Sequence, residues 1–226
     1  ENGKPFPFFY GYKTAGIFQN TDEVKAYKND KGELLQPTAV PGDVRFVDVD
    51  GNGIIDANDR TDIGKGMPDW TFGFNLGVSW KNFDLNMMWQ GTAGNDIYDA
   101  TRRTDIATSN LPSWMLNRWT GEGTSNRIPR FVQGDNVNWQ SSDVYVFAGS
   151  YLRLMNIQLG YTLPAALTQK VFISSLRFYV AAENLFTFTK YHGFDPEISS
   201  GGTSLGIDYG VYPQARVWTI GASLSF

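Results

Sequence analysis

Thr219-Ile-Gly-Ala-Ser-Leu-Ser-Phe226 alternates small or polar side chains with apolar ones and ends on an aromatic residue. Because successive side chains of a β-strand point to opposite faces, this stretch has one apolar face and one polar face. The apolar face carries Trp218, Ile220, Ala222, Leu224 and Phe226. Such a strand fits a soluble sheet packed on a second sheet, or a membrane barrel whose polar face lines a wet lumen. The order polar-x-Gly-x-x-apolar-x-aromatic is typical of the final strand of a bacterial outer-membrane barrel, so it favours the barrel.

The composition of the 226 residues agrees with many short strands and tight turns. The chain has 15% aromatic and 19% charged residues and contains 24 glycines. It has no apolar run of about 18 residues, so any membrane crossing has to be made by strands. The absence of cysteine excludes disulfides, thiolate metal sites and a cysteine nucleophile. A net charge of -4, without a cluster of Lys and Arg, argues against nucleic acid as a partner.

Four further segments alternate in the same way and predict strands at residues 70–80, 83–90, 154–163 and 176–188. A two-residue turn, Lys81-Asn82, joins the first two and fixes their register. Short connections at 81–82 and 164–170 alternate with long ones at 17–69, 91–145 and 191–213. Outer-membrane barrels have short periplasmic turns and long extracellular loops, and this alternation has the same phase.

The number of strands limits what this sequence can form by itself. Five segments, together with a weaker candidate at residues 9–18, fall short of the roughly eight strands of the smallest closed barrels. We therefore expect residues 1–226 to form one arc of a larger barrel, and the remaining strands and the export signal to lie outside this sequence.

The polar faces of the predicted strands carry three charged residues, Asp84, Arg177 and Glu183. We predict that they face the lumen, where charges are paired or solvated.

Residues 48–59 match a twelve-residue calcium-binding loop. Gly53 stands at the turn position, and the ligand positions 1, 3, 5, 7, 9 and 12 are taken by Asp48, Asp50, Asn52, the carbonyl of Ile54, Asp56 and Asp59. The match departs from the usual pattern at Asp59, where a longer Glu normally supplies two oxygens. We predict a structural Ca²⁺ that relieves the repulsion between the carboxylates. The alternative is an Asp-Gly-Asn-Gly turn with solvated acids.

Three tryptophans in the long central connection, Trp114, Trp119 and Trp139, are candidates for stacking on the sugar rings of a substrate. A packing role is favoured instead, because residues 110–119 read as a short helix with Pro112 near its first turn. The only histidine, His192, has no accompanying catalytic motif. We therefore predict that the chain is not an enzyme, and a hydrolase that uses His192 is the weakest of the hypotheses.

Many segments along the chain resemble the C-terminal part of SusC/RagA-type TonB-dependent outer-membrane transporters of Bacteroidetes. They lie at residues 9–18, 41–56 running into 59–60, 68–75, 82–85, 90–91, 94–98, 151–154, 159–164, 183–187, 193–197 and 212–216. They include Gly-Asp-Val-Arg-Phe-Val-Asp-Val-Asp-Gly-Asn-Gly within 41–60, Leu-Gly-Tyr-Thr-Leu-Pro at 159–164 and Glu-Asn-Leu-Phe-Thr at 183–187.

The resemblance implies a transmembrane antiparallel barrel of about 22 strands with a plug in its lumen and long extracellular loops. It also implies energy supplied through TonB, a SusD-like surface lipoprotein as partner, and import of oligosaccharides or peptides across the bacterial outer membrane. The TonB-contacting segment and the plug are expected outside these residues. The alternative function is that of a soluble calcium-stabilised β-sandwich that binds carbohydrate. Its apolar strand faces would be buried against another sheet.

Overall fold

A computed structural model describes residues 3–101, 110–132, 134, 137–198 and 201–226. Within these ranges the chain forms twelve strands: β1 (Phe8–Tyr12), β2 (Thr14–Ile17), β3 (Val44–Phe46), β4 (Arg60–Lys65), β5 (Trp70–Trp80), β6 (Phe83–Ala93), β7 (Asp96–Asp99), β8 (Val146–Ala148), β9 (Tyr151–Thr162), β10 (Ser175–Thr189), β11 (Ile207–Asp208) and β12 (Val217–Ser225). The α-helices are α1 (Thr21–Ala26) and α2 (Ala165–Thr168), and 3-10 helices span Ala57–Asp59, Ser113–Asn117, Asp143–Tyr145, Gln169–Val171 and Gly202–Ser204. Among the helices described, none is both long and apolar enough to cross a membrane.

The chain divides into two compact units, and the first, here called the strand unit, comprises Pro68–Asn95, Gly149–Glu197 and Val211–Phe226. It contains one five-stranded sheet in the order β12-β10-β9-β6-β5, in which all neighbours are antiparallel. These are the five strands that the alternating segments predicted. The β5–β6 hairpin turns at Lys81, whose positive φ of 54° suits a tight two-residue turn.

The register aligns the apolar side chains of all five strands on one face of the sheet. Directly paired residues of antiparallel strands share a face, and the central row of pairs runs through Val78, Leu85, Leu159, Val180 and Ile220. A neighbouring row runs through Leu76, Met87, Ile157, Ala182 and Trp218. The apolar face is therefore continuous across the sheet.

The exposure of this face separates the barrel from the β-sandwich. Phe74 is 51% exposed, Val180 44% and Ile220 84%, although all three lie on the apolar face. A sandwich would bury these side chains against a second sheet. The described part of the chain places no such sheet over them, so the structure agrees with the barrel arc and not with the sandwich.

The second unit, here called the loop unit, comprises Glu1–Met67, Asp96–Ala148 and Ile198–Gly210. It contains three small sheets, β1-β4, β2-β3 and β11-β7-β8. Its core is formed by buried residues that pack as one cluster, namely Tyr12, Ile17, Val44, Phe46, Val144 and Tyr145. Most of the first two long connections, 17–69 and 91–145, therefore fold around a hydrophobic core of their own.

The candidate strand at residues 9–18 does not join the five-stranded sheet. It forms β1 and β2, which pair with β4 and β3 in the loop unit. The prediction of a sixth spanning segment is wrong for a physical reason: five- and four-residue strands are far shorter than the 9–11 residues, roughly, that cross a bilayer.

Candidate functional site

The acidic loop predicted to bind calcium, residues 48–59, lies between β3 and β4 in the loop unit and ends in the 3-10 helix Ala57–Asp59. Gly53 has a φ of +87°, a conformation that residues with a β-carbon rarely adopt. The Asp48 carboxylate fixes this turn, because its two oxygens accept the N–H groups of Gly51 at 2.8 Å and Gly53 at 2.9 Å. The Asn52 side-chain oxygen accepts the N–H of Ile54 at 2.9 Å.

Asp59, the last residue of the loop, has a fully buried side chain that holds the two ends of the loop together. One of its oxygens accepts the Val49 N–H at 2.7 Å, and the other accepts the Asp56 N–H at 2.8 Å. Each carboxylate oxygen retains a second lone pair after accepting one hydrogen bond. Asp59 can therefore hold both ends of the loop and still present an oxygen toward a cation.

The structure brings together three of the predicted ligands. Carboxylate oxygens of Asp48, Asp50 and Asp59 all lie within 4.8 Å of one another. Asp56 lies outside this group and caps the 3-10 helix, where its carboxylate accepts the Asn58 N–H at 2.7 Å. Three oxygens at this separation, from charged groups that repel one another, have the chemistry of a site for a hard divalent cation.

A neighbouring segment supports the acidic loop from one side. The side-chain amide of Asn29 donates to the Gly53 carbonyl at 3.0 Å. The Tyr27 hydroxyl donates to the Phe46 carbonyl at the end of β3. Burial raises the pKa of Tyr27 above its ordinary value, and the carboxylates of Asp48 and Asp59 add to that increase, whereas Arg45 opposes it. Tyr27 thus stays a neutral hydrogen-bond donor beside the loop at neutral pH.

The three candidate tryptophans are half-buried and pack against the core of the loop unit. Trp139 stacks on Tyr145 with ring centroids 6.3 Å apart and an interplanar angle of 10°. Trp114 meets the same ring edge-on. The helix predicted at residues 110–119 is present as the shorter 3-10 helix Ser113–Asn117, which follows Pro112 and contains Trp114.

Two of the indole N–H groups make hydrogen bonds within the unit. That of Trp114 donates to Asp99 at 3.0 Å, and that of Trp119 donates to Gln19 at 3.3 Å. The described geometry therefore gives these side chains the packing role that the sequence favoured. Stacking of the three indole rings on a sugar stays a prediction.

On the polar face of the strand unit, Asp84 and Arg177 form an ion pair across the intervening strand β9. Arg177 donates through Nε to one carboxylate oxygen of Asp84 at 3.0 Å and through Nη2 to the other at 2.6 Å. Gly160 lies between them, and a β-carbon there would collide with both groups. These two charges are paired, as expected for the lumen-facing side, while Glu183 is exposed on the same face.

A buried charge cluster at the other end of β9 was missed by sequence reasoning. Arg153 is 2% exposed and donates to Asp195, to Glu197 at 2.8 Å and to Thr187 at 2.9 Å. Asp195 also accepts the Gln214 N–H at 3.0 Å. This cluster fastens the connection after β10 to the sheet. Its partners are 42 and 44 residues away from Arg153 in sequence, so no local spacing could have indicated it.

His192 lies in the same connection, is exposed, and has its ring 5.1 Å from that of Tyr191 between centroids. This position agrees with the long connection predicted at residues 191–213.

No protein-family model matches the chain. Its sequence is 34% identical over 232 residues to TonB-dependent receptor P3 of Formosa agariphila, a match that covers 99% of the chain and 22% of that receptor. It is 30% identical over 203 residues to TonB-dependent receptor SusC of Bacteroides thetaiotaomicron, with 86% of the chain and 19% of SusC covered. The chain thus spans about a fifth of the length of these curated relatives.

Solved structures of a transporter are similar to this chain over nearly its whole length. The RagAB peptide importer in its open-open state is similar to the chain with a TM-score of 0.68 and 28% identity, over 97% of this chain and 22% of the importer chain. Its closed-closed state gives a TM-score of 0.66 with 29% identity.

Proposed function

Because the chain belongs to the SusC/RagA type of TonB-dependent outer-membrane β-barrel proteins, we propose that it forms part of the wall of a nutrient importer. The family resemblance, the barrel class and the outer-membrane location predicted from the sequence are confirmed, and the relatives are receptors and importers, not enzymes. The proposed cargo is an oligosaccharide or a peptide. The proposed partners are a SusD-like surface lipoprotein and the TonB complex.

The continuous apolar face of the strand unit supports this proposal most strongly. An apolar surface five strands wide is stable against lipid, because each strand hydrogen-bonds to its neighbours and exposes only side chains to hydrocarbon. The opposite face, with the Asp84–Arg177 pair and the exposed Glu183, suits a water-filled or protein-filled lumen. The two edge strands β5 and β12 would pair with further strands of the same barrel.

Different observations favour the two proposed classes of cargo, oligosaccharides and peptides. The RagAB structures are described as a peptide importer, whereas the three indole side chains of the loop unit would suit sugars. An uptake experiment in the native bacterium separates the two. Deletion of the gene should abolish TonB-dependent uptake of one labelled class, either oligosaccharides or peptides, and a plasmid copy should restore it.

Unchanged uptake of both classes in the deletion strain would contradict the proposed function. The lipoprotein partner has its own measurement, which is co-purification with the full-length protein after mild solubilisation. A SusD-like protein in the purified complex is the expected result, and its absence from a preparation that retains uptake activity after reconstitution would refute the partnership.

We also propose that the acidic loop binds a structural Ca²⁺. Asp48, Asp50 and Asp59 would supply carboxylate oxygens, and Asn52 and the Ile54 carbonyl would complete the set. Asp56, at the ninth position, would contribute through a water molecule, as that position of such loops often does. The bound cation would offset the mutual repulsion of the carboxylates and would order a glycine-rich connection that otherwise has high conformational entropy.

Limited proteolysis of the full-length protein, with and without a calcium chelator, tests this site. We expect chelation to expose residues 48–59 to cleavage and calcium to restore resistance, whereas magnesium at the same concentration should restore much less. Asp50→Asn should reproduce the effect of chelation, and Asp30→Asn, an exposed acid of the same unit outside the cluster, should not. Cleavage that is indifferent to the chelator would show that the loop is an ordinary solvated turn.

A further inference from the structure

The connection between β9 and β10, residues 163–174 and here called the α2 turn, ends its helical segment in an unusual way. The Phe172 N–H donates to the Gln169 carbonyl at 3.2 Å, and the Ile173 N–H donates to the Thr168 carbonyl at 3.1 Å. These are the two hydrogen bonds of a Schellman motif, which places Phe172 at the left-handed position with a φ of 60°. Glycine normally occupies this position, because it has no β-carbon.

Phe172 is unfavourable at this position on two grounds. A bulky residue in the left-handed region is strained. Its side chain is also 91% exposed, so packing within the described protein does not compensate for that strain. A strained, exposed aromatic residue indicates that the compensating contact is made with something outside the chain.

The position of the α2 turn indicates which surface could make the contact that offsets the strain at Phe172. Near this end of the sheet, one row of the apolar face runs through Phe83, Tyr161 and Phe178. The Leu163 N–H donates to the Leu176 carbonyl at 2.9 Å, so the α2 turn starts directly beyond that row. Leu167, also on this turn, is 57% exposed. The exposed apolar side chains of the α2 turn therefore lie just past the end of the apolar face.

The charges at this end also favour a lipid surface. The two turns here, residues 81–82 and 163–174, contain Lys81 and Lys170 and no Asp or Glu. The Lys81 ammonium lies 4.7 Å from the centre of the Trp80 ring, which is itself well exposed. Exposed aromatic and aliphatic side chains beside lysines match the boundary between acyl chains and phosphate groups in a bilayer.

We propose that the α2 turn is a phospholipid anchor of the barrel. Phe172 and Leu167 insert at the boundary between acyl chains and headgroups of the leaflet at the short-turn end of the strands, and Lys170 and Lys81 contact lipid phosphates. The favourable transfer of the Phe172 ring into this boundary offsets the strain of its backbone. The inference depends on the membrane location of the strand unit and not on the identity of the imported molecule.

Fluorescent labelling of the full-length protein tests the anchor, with any cysteine outside residues 1–226 replaced by serine, because these residues themselves contain none. An environment-sensitive dye is placed at Phe172→Cys and, as a matched control, at Phe194→Cys, another strongly exposed aromatic position. Both variants are reconstituted into vesicles of phosphatidylethanolamine and phosphatidylglycerol. We expect nitroxide-labelled phospholipid to quench the dye at 172 severalfold more than the dye at 194, and aqueous iodide to show the opposite order.

Equal quenching of the two dyes by iodide would overturn the proposal. Shielding of position 172 in intact cells but not in vesicles would also overturn it, and would assign Phe172 to a protein partner.

The direction in which Phe172→Gly changes the unfolding rate distinguishes a lipid anchor from a purely structural role of Phe172. Phe172→Gly removes the left-handed strain, so without a lipid contact it should slow heat unfolding of the reconstituted protein. With the anchor, Phe172→Gly should speed unfolding severalfold in vesicles, and Phe172→Trp should restore the wild-type rate. Slower unfolding of Phe172→Gly in vesicles would contradict the proposal.

Discussion

The strand unit and the loop unit use apolar side chains in opposite ways, although they belong to one chain. In the loop unit Ile17 and Val44 are 1% and 0% exposed, as in any water-soluble core. In the strand unit the apolar residues of β5 are exposed along the whole strand. The difference indicates two solvents: the loop unit buries hydrocarbon away from water, whereas the strand unit presents it to lipid. A continuous exposed apolar face, as opposed to single exposed apolar residues, is therefore a property of the strand unit and not a defect of the fold.

Two phenylalanines provide the largest contrast between the units. Phe46→Ala removes a ring that is 2% exposed in the core of the loop unit, and we expect a loss of about 3–5 kcal/mol because a cavity remains. Phe74→Ala, on the lipid-facing side of β5, should cost much less, because acyl chains refill the space. Hydrogen exchange of the full-length protein in vesicles, followed separately for amides of β3 and β5, measures both losses. Equal losses at the two positions would remove the distinction between the units.

A charge placed on either side of β10 tests the two faces of the strand unit. Val180 lies in the central row of the apolar face, and Val180→Arg should destabilise the reconstituted protein by about 2–4 kcal/mol. The neighbouring Ala181→Arg adds the same side chain to the polar face, where water or polar groups can solvate it, and should cost less than about 1 kcal/mol. Denaturant titration in vesicles gives both values. A larger loss for Ala181→Arg would reverse our assignment of the faces.

Gly160→Ala should give the smallest effect of the three. Its added methyl group would push the side-chain ends of Asp84 and Arg177 apart and weaken their partly exposed ion pair, at a cost of at most about 1 kcal/mol. Gly77→Ala is the control, because a β-carbon there would meet only Asn86 at 3.2 Å. The same denaturant titration compares the two. If Gly77→Ala were the more damaging variant, close packing at the ion pair would not explain why glycine occupies position 160.

The sequence predicted the strand unit well, because its signals are local. Alternation alone located β5, and the Lys81-Asn82 turn set its register with β6. The lumen-facing placement of Asp84 and Arg177 followed from the same period of two. Their direct pairing across β9 depends on Gly160, and the sequence gives no indication of that contact.

The loop unit was less predictable, because its contacts are distant in sequence. β1 pairs with β4 about fifty residues later, so residues 9–18 looked like an isolated spanning segment. The acidic loop was located by its local spacing, yet the helix-capping role of Asp56 became visible only in three dimensions. For the same reason the Arg153 cluster, which joins residues more than forty positions apart, escaped prediction.

A scan of single cysteines along residues 176–183 of β10 tests most directly whether the apolar face contacts lipid. Each position of the full-length protein, reconstituted in vesicles, carries a nitroxide whose accessibility to oxygen and to a water-soluble nickel complex is measured. We predict a period of two, with oxygen dominant at 176, 178 and 180 and the nickel complex dominant at 177, 179, 181 and 183. Uniform accessibility to the nickel complex along β10, or low accessibility to both reagents on the apolar side, would contradict the account.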